Sequence, residues 1–127
     1  MSFLRELYDE TKVVETTTPK KLYRGVMASG KGAGTARFGR GLYSSPNKSY
    51  VQSGYKFDKI IELTPEVAYP DNPLIIDVHV ECFEDWLLRE SGAKSMREFH
   101  KKWPDSAEFV KSKGFDGVVS GDDIVKY

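Results

Sequence analysis

The spacing of apolar residues along the chain predicts a series of short strands and helices. Apolar residues at helical spacing predict an amphipathic helix over residues 3–9 and another over 83–90, which Gly92 closes. Runs rich in β-branched and aromatic residues predict strands. These strands cover residues 21–27, 41–44, 58–63, 74–80, 117–120 and 123–127. The last two are joined through Gly121-Asp122, which predicts a hairpin.

Helix starts are predicted by polar residues that can accept hydrogen bonds from free backbone N–H groups. Ser45, followed by Pro46, is expected to begin a helix that runs to about residue 55. A capping residue followed three positions later by glutamate predicts two more helices. These pairs are Ser95 with Glu98, for a helix to about residue 103, and Asp105 with Glu108, for a helix that Gly114 ends.

The order of these elements favours the α+β class. Strands and helices do not follow a strict strand–helix–strand alternation, so the sheets are expected to be mainly antiparallel. With 127 residues the chain has room for one domain, which we assign to residues 1–127. Residues 30–41 hold five of the eleven glycines and are expected to form a loop.

Composition narrows the class of protein without indicating a function. Hydrophobic residues make up 39% and charged residues 30% of the chain, as in folded water-soluble domains. No apolar run approaches the roughly 20 residues of a membrane span, and the start of the chain lacks the apolar segment of a secretory signal. A cytoplasmic protein without membrane contact is therefore expected. The single cysteine, Cys82, cannot form a disulfide within the chain.

Charge is distributed unevenly, although the formal net charge is zero. Residues 20–59, here called the basic block, contain nine basic residues and one acid, Asp58. Residues 60–127 contain eight basic and fourteen acidic residues. A block of this size suits a compact anionic ligand better than a long nucleic acid, which needs positive charge over a larger face.

Several common catalytic and binding patterns do not occur in the sequence. The segment Gly30-x-Gly32-x-Gly34 lacks the Gly-Lys-Ser/Thr ending of a Walker A loop, and it leads into a strand rather than the helix of a dinucleotide-binding fold. His79 and His100 lie 21 positions apart without a cysteine partner, so no metal site is expected. The nucleophile pattern Gly-x-Ser-x-Gly is absent from the sequence.

Three segments combine polar residues with glycines and are the candidates for chemistry. They read LYRG at residues 22–25, FGRGLYSS at 38–45 and GFDGVVSGDDIV at 114–125. Their order resembles the ADP-ribosyltransferase superfamily, which includes bacterial toxins, phage transferases and the poly(ADP-ribose) polymerases. Residues 38–43 are similar to the F-G-K-G-I-Y stretch of the polymerases, and Lys48-Ser49 with Tyr55 is similar to its continuation. Residues 22–25 resemble the first motif of the toxin-like branch, and residues 114–127 resemble the terminal block of small bacterial and phage members.

The resemblance implies two mainly antiparallel sheets around an NAD cleft with flanking helices, and NAD as the co-substrate. It implies Arg24, Tyr43 and Asp123 as catalytic residues. It implies that Arg24, Gly25, Tyr43, Ser44, Ser49 and Tyr55 bind NAD. In these roles Arg24 holds a phosphate or the adjacent ribose, and a carboxylate stabilises positive charge at the sugar. The backbone of Gly25 and a hydroxyl of Ser49 or Ser44 hold the carboxamide, while Tyr43 and Tyr55 enclose the pyridinium ring.

The expected catalytic carboxylate departs from the family pattern. The family usually has glutamate at the start of the last strand, where this chain has Asp123, preceded by Asp122. Three interpretations stay open. Asp123 acts with a shifted backbone, Glu62 or Glu81 takes its place, or the protein binds NAD without efficient transfer.

The expected function is that of a mono-ADP-ribosyltransferase, acting as a bacterial or phage effector on a macromolecule, a protein rather than a nucleic acid. Target selection is assigned to the loop at 31–37 or the helices within 83–113. The alternatives are a non-catalytic NAD or ADP-ribose binding module, an NAD glycohydrolase, and an interaction domain that uses the basic block. Each candidate residue also has a structural alternative: Arg24 in a surface ion pair, Tyr43 and Tyr55 in the core, and Asp122 and Asp123 in a turn.

Overall fold

Six strands and five helices lie in the part of the chain that the computed structural model describes, residues 18–27, 37–54 and 57–127. The strands are β1 (Leu22–Val26), β2 (Leu42–Ser44), β3 (Lys59–Leu63), β4 (Pro73–Ile76), β5 (Gly117–Ser120) and β6 (Asp123–Lys126). The helices are α1 (Lys48–Gly54), α2 (Pro65–Ala68), α3 (Phe83–Ser91), α4 (Met96–Lys102) and α5 (Ser106–Ser112). The helix predicted over residues 3–9, most of the glycine-rich loop and Tyr55 lie outside the described residues.

The strands form two sheets, which confirms the predicted α+β class. β1 pairs with β3 in an antiparallel two-stranded sheet. The second sheet has the order β2-β6-β5-β4. Two backbone hydrogen bonds join the sheets: Tyr23 N donates to Ser45 O at 2.7 Å, and Ser45 N donates to Tyr23 O at 2.9 Å. We call the region around this bridge, where β1 meets β2, the sheet junction.

The sheets are mainly antiparallel, as predicted, and one strand pair of the described residues is parallel. β4 and β5 are parallel, and α3, α4 and α5 lie between them in the chain. A parallel pair requires such a crossover, since a short turn can join only antiparallel neighbours. The other strand pairs among the described residues are antiparallel.

The strand predicted over residues 74–80 was wrong in its second half. β4 ends at Ile76, and Asp77 forms a turn in which its carboxylate accepts a hydrogen bond from His79 N at 3.0 Å. The backbone carbonyl of Asp77 also accepts from Val80 N at 2.9 Å. Aspartate stabilises turns in this way, and its local hydrogen bonds outweigh the strand preference of the exposed Val78 and Val80.

The start of α1 is also a correction. The helix begins at Lys48, because Asn47 rather than Ser45 caps it: Asn47 Oδ1 accepts from Tyr50 N at 3.2 Å. Ser45 instead pairs with β1, and its hydroxyl accepts from Asn47 N at 3.1 Å. The short helix α2 was not predicted, although Thr64 at its N-cap and Pro65 are a usual start signal.

Other predicted helix ends are confirmed. Ser95 Oγ accepts from Glu98 N at 3.1 Å, while the Glu98 carboxylate accepts from Lys94 N at 2.9 Å. Asp105 caps α5 by accepting from Ala107 N at 3.0 Å. Gly92 ends α3 with a φ of 77°, a left-handed conformation that glycine adopts without a Cβ penalty. None of the helices among the described residues is long and apolar enough to cross a membrane.

Apolar side chains are buried on both faces of the four-stranded sheet. Neighbouring residues of a strand point to opposite faces, so Val125 and Ile124 of β6 belong to different clusters. The larger core consists of Phe38, Leu74, Ile76, Phe83, Trp86, Leu87, Phe99, Phe109, Val110, Val118 and Val125. The smaller core consists of Leu22, Ala68 and Ile124.

Candidate functional site

The strand register decides which candidate side chains share a face at the sheet junction. Tyr43 lies opposite Val125, and directly paired residues of an antiparallel ladder point to the same side. Asp123, two residues before Val125, is therefore on the face of Tyr43. Ser45 is on this face as well, and through the bridge so is Tyr23.

Asp123 is contacted by α1 on this face. Tyr50 Oη donates a hydrogen bond to Asp123 Oδ1 at 2.9 Å, across 73 positions of sequence. The neighbouring Asp122 is exposed, and its carboxylate accepts only a longer bond, 3.4 Å, from Asn47 Nδ2 among the described residues. The two adjacent acids thus have different surroundings, and Asp123 has the shorter hydrogen bond.

Arg24 also lies at the sheet junction, on the face opposite to Tyr43 and Asp123. Since Tyr23 points to the face of Tyr43, Arg24 leaves β1 on the opposite face, as Ser44 does on β2. Its guanidinium reaches the edge of β2, where Arg24 Nη1 donates to Tyr43 O at 3.0 Å. Within residues 18–27, 37–54 and 57–127 Arg24 forms no ion pair, so no described carboxylate neutralises its charge.

Ser44 carries a polar atom without a partner. Its side chain is only 7% exposed, and Ser44 Oγ is the one buried side-chain oxygen or nitrogen of the described residues without a hydrogen bond. An unsatisfied buried hydroxyl costs stability and has unused capacity for a hydrogen bond. Because Ser44 points toward the smaller core, that capacity lies on the face away from Asp123.

Tyr43 is held firmly in place by backbone contacts. Its hydroxyl donates to Gly39 O at 2.6 Å and accepts from Phe38 N at 2.9 Å. Its ring packs against the larger core, 6.2 Å from the ring of Phe38. Burial raises the pKa of Tyr43 to about 12, and Asp105 and Asp123 add to this shift through their negative charge.

The segment around Phe38 is anchored by two further groups. Tyr127 Oη donates to Phe38 O at 2.6 Å, and Asp105 Oδ1 accepts from Arg40 N at 3.1 Å. Gly39 has a φ of 92°, and a Cβ there would lie 2.4 Å from Ala107 N. This end of the glycine-rich loop is therefore tied to α5 and the last strand.

The backbone of Gly25 is covered by an aromatic ring of the chain itself. A Cβ on Gly25 would lie 2.1 Å from Cδ2 of Phe57, so the ring of Phe57 packs directly on the Gly25 backbone. Phe57 thus occupies the surface of Gly25 to which the sequence analysis assigned the nicotinamide carboxamide. Ser49 lies exposed on α1, on the helix that also carries Tyr50.

Arg37 and Glu84 form an ion pair near Asp123 that the sequence analysis did not identify. Arg37 donates to both carboxylate oxygens of Glu84, at 3.1 and 3.0 Å. The hydrogen bond to Glu84 raises the pKa of Arg37, and the charge of Asp123 contributes to the same shift. The hydrogen bond from Arg37 likewise lowers the pKa of Glu84.

The two other acids considered for the catalytic role each lie near a cation. Both oxygens of Glu81 accept from Arg89 at 2.9 Å, and Glu62 lies 3.6 Å from Lys21 Nζ. Tyr50 and Glu84 escaped the sequence analysis because their partners lie 73 and 47 positions away. No local pattern signals contacts of that separation.

The described residues contain no group of three or more His, Cys, Asp or Glu side chains placed to hold a metal ion. His100 Nδ1 lies 2.9 Å from Trp103 O at the end of α4, and His79 is exposed. No protein-family model, curated protein or solved structure matches this chain. Function is therefore inferred from the residues above and their geometry.

Proposed function

We propose that this protein is an NAD-dependent mono-ADP-ribosyltransferase that modifies a macromolecular target, a protein rather than a nucleic acid. The observation that carries the proposal is the contact between the three motifs at the sheet junction. Arg24 of the first motif bonds to the backbone of Tyr43 in the second, and β2 pairs with β6, which begins at Asp123. Residues far apart in sequence thereby meet at one junction, where the side chain of Asp123 lies on one face and that of Arg24 on the other.

The carboxylate of Asp123 has the chemistry that the transfer needs. NAD supplies a ribosyl C1′ whose bond to nicotinamide breaks, with the bonding electron pair leaving on the ring nitrogen. A fixed negative charge stabilises the positive charge that develops on the sugar, as in glycoside hydrolysis. The same carboxylate accepts the proton that the acceptor group releases when it bonds to C1′.

Arg24 is suited to the pyrophosphate of NAD. A guanidinium has five N–H donors, and the bond to Tyr43 O uses one of them. Within the described part of the chain the other donors have no hydrogen-bond partner, and they and the charge favour a phosphate oxygen. Arg40 and Lys48, both exposed cations of the basic block, strengthen the attraction for a dinucleotide.

The nicotinamide ring is assigned to the surface of Gly25. In this proposal it replaces the ring of Phe57, and the backbone of Gly25 holds the carboxamide. Ser49 is the better hydroxyl partner for that amide, since the hydroxyl of Ser44 points toward the smaller core. The hydroxyl of Tyr43 is hydrogen-bonded to the loop backbone. We therefore assign Tyr43 the role of holding β2 and the loop in position. Stacking by Tyr55 stays a prediction.

The test is incubation of the protein with labelled NAD and cell lysate. We expect covalent labelling of lysate protein by the wild type and a loss of about 100-fold or more in D123N, because a charge that stabilises the transition state is removed. D122N is the matched control: it removes the adjacent acid, which is exposed, and should label as the wild type does.

The outcomes separate the competing functions. Release of nicotinamide without labelling would mean an NAD glycohydrolase. Binding of NAD in calorimetry without nicotinamide release would mean a binding module. Salt-sensitive binding to nucleic acid that is indifferent to NAD would mean an interaction domain. Labelling that is equal in wild type, D123N and D122N would contradict the role of Asp123.

A further inference from the structure

Tyr50 donates a hydrogen bond to Asp123, and the proposed function gives this bond no role. It lies in the first turn of α1, and its hydroxyl reaches the first residue of β6. Asp123 Oδ1 receives this hydrogen bond, whereas Asp123 Oδ2 accepts none from the described residues. Among the described residues one oxygen of the carboxylate is thus held and the other has no hydrogen-bond partner.

Asn47 supports the contact between Tyr50 and Asp123 from both α1 and the turn before β6. Asn47 caps α1 through the bond to Tyr50 N, and its side-chain amide also reaches Asp122 at 3.4 Å. Tyr50 and Asp123 are therefore held near each other by the same residue that starts the helix. A Tyr side chain with two rotatable bonds loses little freedom in such a contact.

A short carboxylate at the start of a strand needs such support. Asp123 follows the turn at Gly121, which has a φ of 59°, and its side chain is one methylene shorter than that of glutamate. A hydrogen bond to one oxygen restricts rotation of the carboxylate and fixes the direction of the other oxygen. A misplacement of about 1 Å in a reacting group costs up to about 100-fold in rate.

We infer that Tyr50 is the positioning residue for Asp123, a conclusion that rests on the proposed function. Its hydroxyl holds the carboxylate so that Oδ2 faces the ribosyl C1′ of NAD. Tyr50 acts through Asp123, and it does not itself need to touch the substrate.

The test is a double-mutant cycle on nicotinamide release from NAD in the presence of lysate protein, with wild type, Y50F, D123N and Y50F/D123N. We expect Y50F to lower kcat about 10-fold with little change in KM for NAD, because positioning and not binding is lost. In the D123N background the Y50F change should have almost no further effect. Q52A, an exposed change on the same helix, is the control and should retain the wild-type rate.

Failure of this inference and failure of the proposed function give different results. If wild type releases nicotinamide and Y50F does so at the same rate, the inference fails while the proposed function stands. It also fails if the effects of Y50F and D123N on kcat simply multiply, since Tyr50 would then act independently of Asp123. If wild type neither transfers ADP-ribose nor releases nicotinamide, the proposed function fails and this inference with it. Circular dichroism of each variant establishes that the rates compared belong to folded protein.

Discussion

The larger core and the sheet junction are stabilised in different ways. Among the described residues the larger core buries eleven apolar side chains. Several of its aromatic rings pack edge to face, with 4.9 Å between the ring centroids of Phe38 and Phe83 and 5.3 Å between those of Phe99 and Phe109. The smaller core, beside the junction, has three buried apolar residues, and the nearby hydroxyl of Ser44 has no hydrogen-bond partner among the described residues. Specific hydrogen bonds hold the junction together.

This difference suggests that the larger core supplies stability and that the sheet junction serves the proposed function. Apolar burial supplies most of the free energy of folding and does not depend on precise polar geometry. The junction holds two half-buried charged groups, Arg24 and Asp123, to which the proposed function assigns the chemistry. Variants of the larger core should therefore change stability, whereas variants of the junction should change activity more than stability.

The largest effect on stability is expected from Phe83→Ala. Phe83 is fully buried between α3 and the sheet, and its loss leaves a cavity among aromatic neighbours. We expect the free energy of unfolding to fall by about 3–5 kcal/mol, measured by urea denaturation. Val80→Ala is the control, because Val80 is 81% exposed and should change stability by no more than about 0.5 kcal/mol. Equal effects of the two changes would mean that the larger core does not dominate stability.

A smaller loss is expected from Gly25→Ala at the junction. The new Cβ would meet the ring of Phe57, so the ring or the strand must shift, at a cost of about 1–3 kcal/mol. The double variant Gly25→Ala with Phe57→Ala removes the colliding ring and should be less destabilised than the sum of the two single changes. Additive losses in chemical denaturation would show that Phe57 does not pack on Gly25.

The smallest effect is expected from Tyr43→Phe. This change leaves Phe38 N without its acceptor and Gly39 O without its donor, and should cost about 1–2 kcal/mol in urea denaturation. Tyr127→Phe is a useful comparison, because it removes a single hydrogen bond from the same segment and should cost less. A larger loss in Tyr127→Phe would mean that Tyr43 is not the main anchor of this loop.

The same tyrosine predicts a loss of stability in alkali. Burial raises the pKa of Tyr43 to about 12, above an unfolded value of about 10, so the folded chain binds the proton more tightly. The stabilisation is complete below about pH 10 and is lost as the pH rises toward 12. Stability measured between these values should therefore fall in the wild type and fall less steeply in Tyr43→Phe. Parallel curves would contradict this assignment.

Local signals predicted much of the fold because they act within a few residues. The caps at Ser95 and Asp105 and the stop at Gly92 each depend on contacts within one helical turn. The hairpin of β5 and β6 follows from the turn at Gly121. The prediction failed at Ser45, because that residue pairs with a strand distant in sequence and so is not available to cap α1.

Sequence analysis alone identified the three motifs but did not predict how they are arranged in space. It identified Arg24 and Asp123 by residue type and by their position in segments that resemble a family. It preferred Asp123, which stands where the resembled family has its glutamate, left Glu62 and Glu81 as alternatives, and gave no sign of Tyr50. The pairing of β2 with β6 places Asp123 on the face of Tyr43, and the contact with Tyr50 appears only in the folded chain.

The sequence by itself determined the local elements, the α+β class and the uneven distribution of charge, since each depends on neighbouring residues or on composition. Tertiary structure alone decided that β4 and β5 run parallel, that Arg24 reaches the backbone of Tyr43, and that Tyr50 meets Asp123. The physical reason is that these contacts join distant segments, and their geometry depends on strand register and core packing together. A shift of one residue in register would move Asp123 to the other face of the sheet.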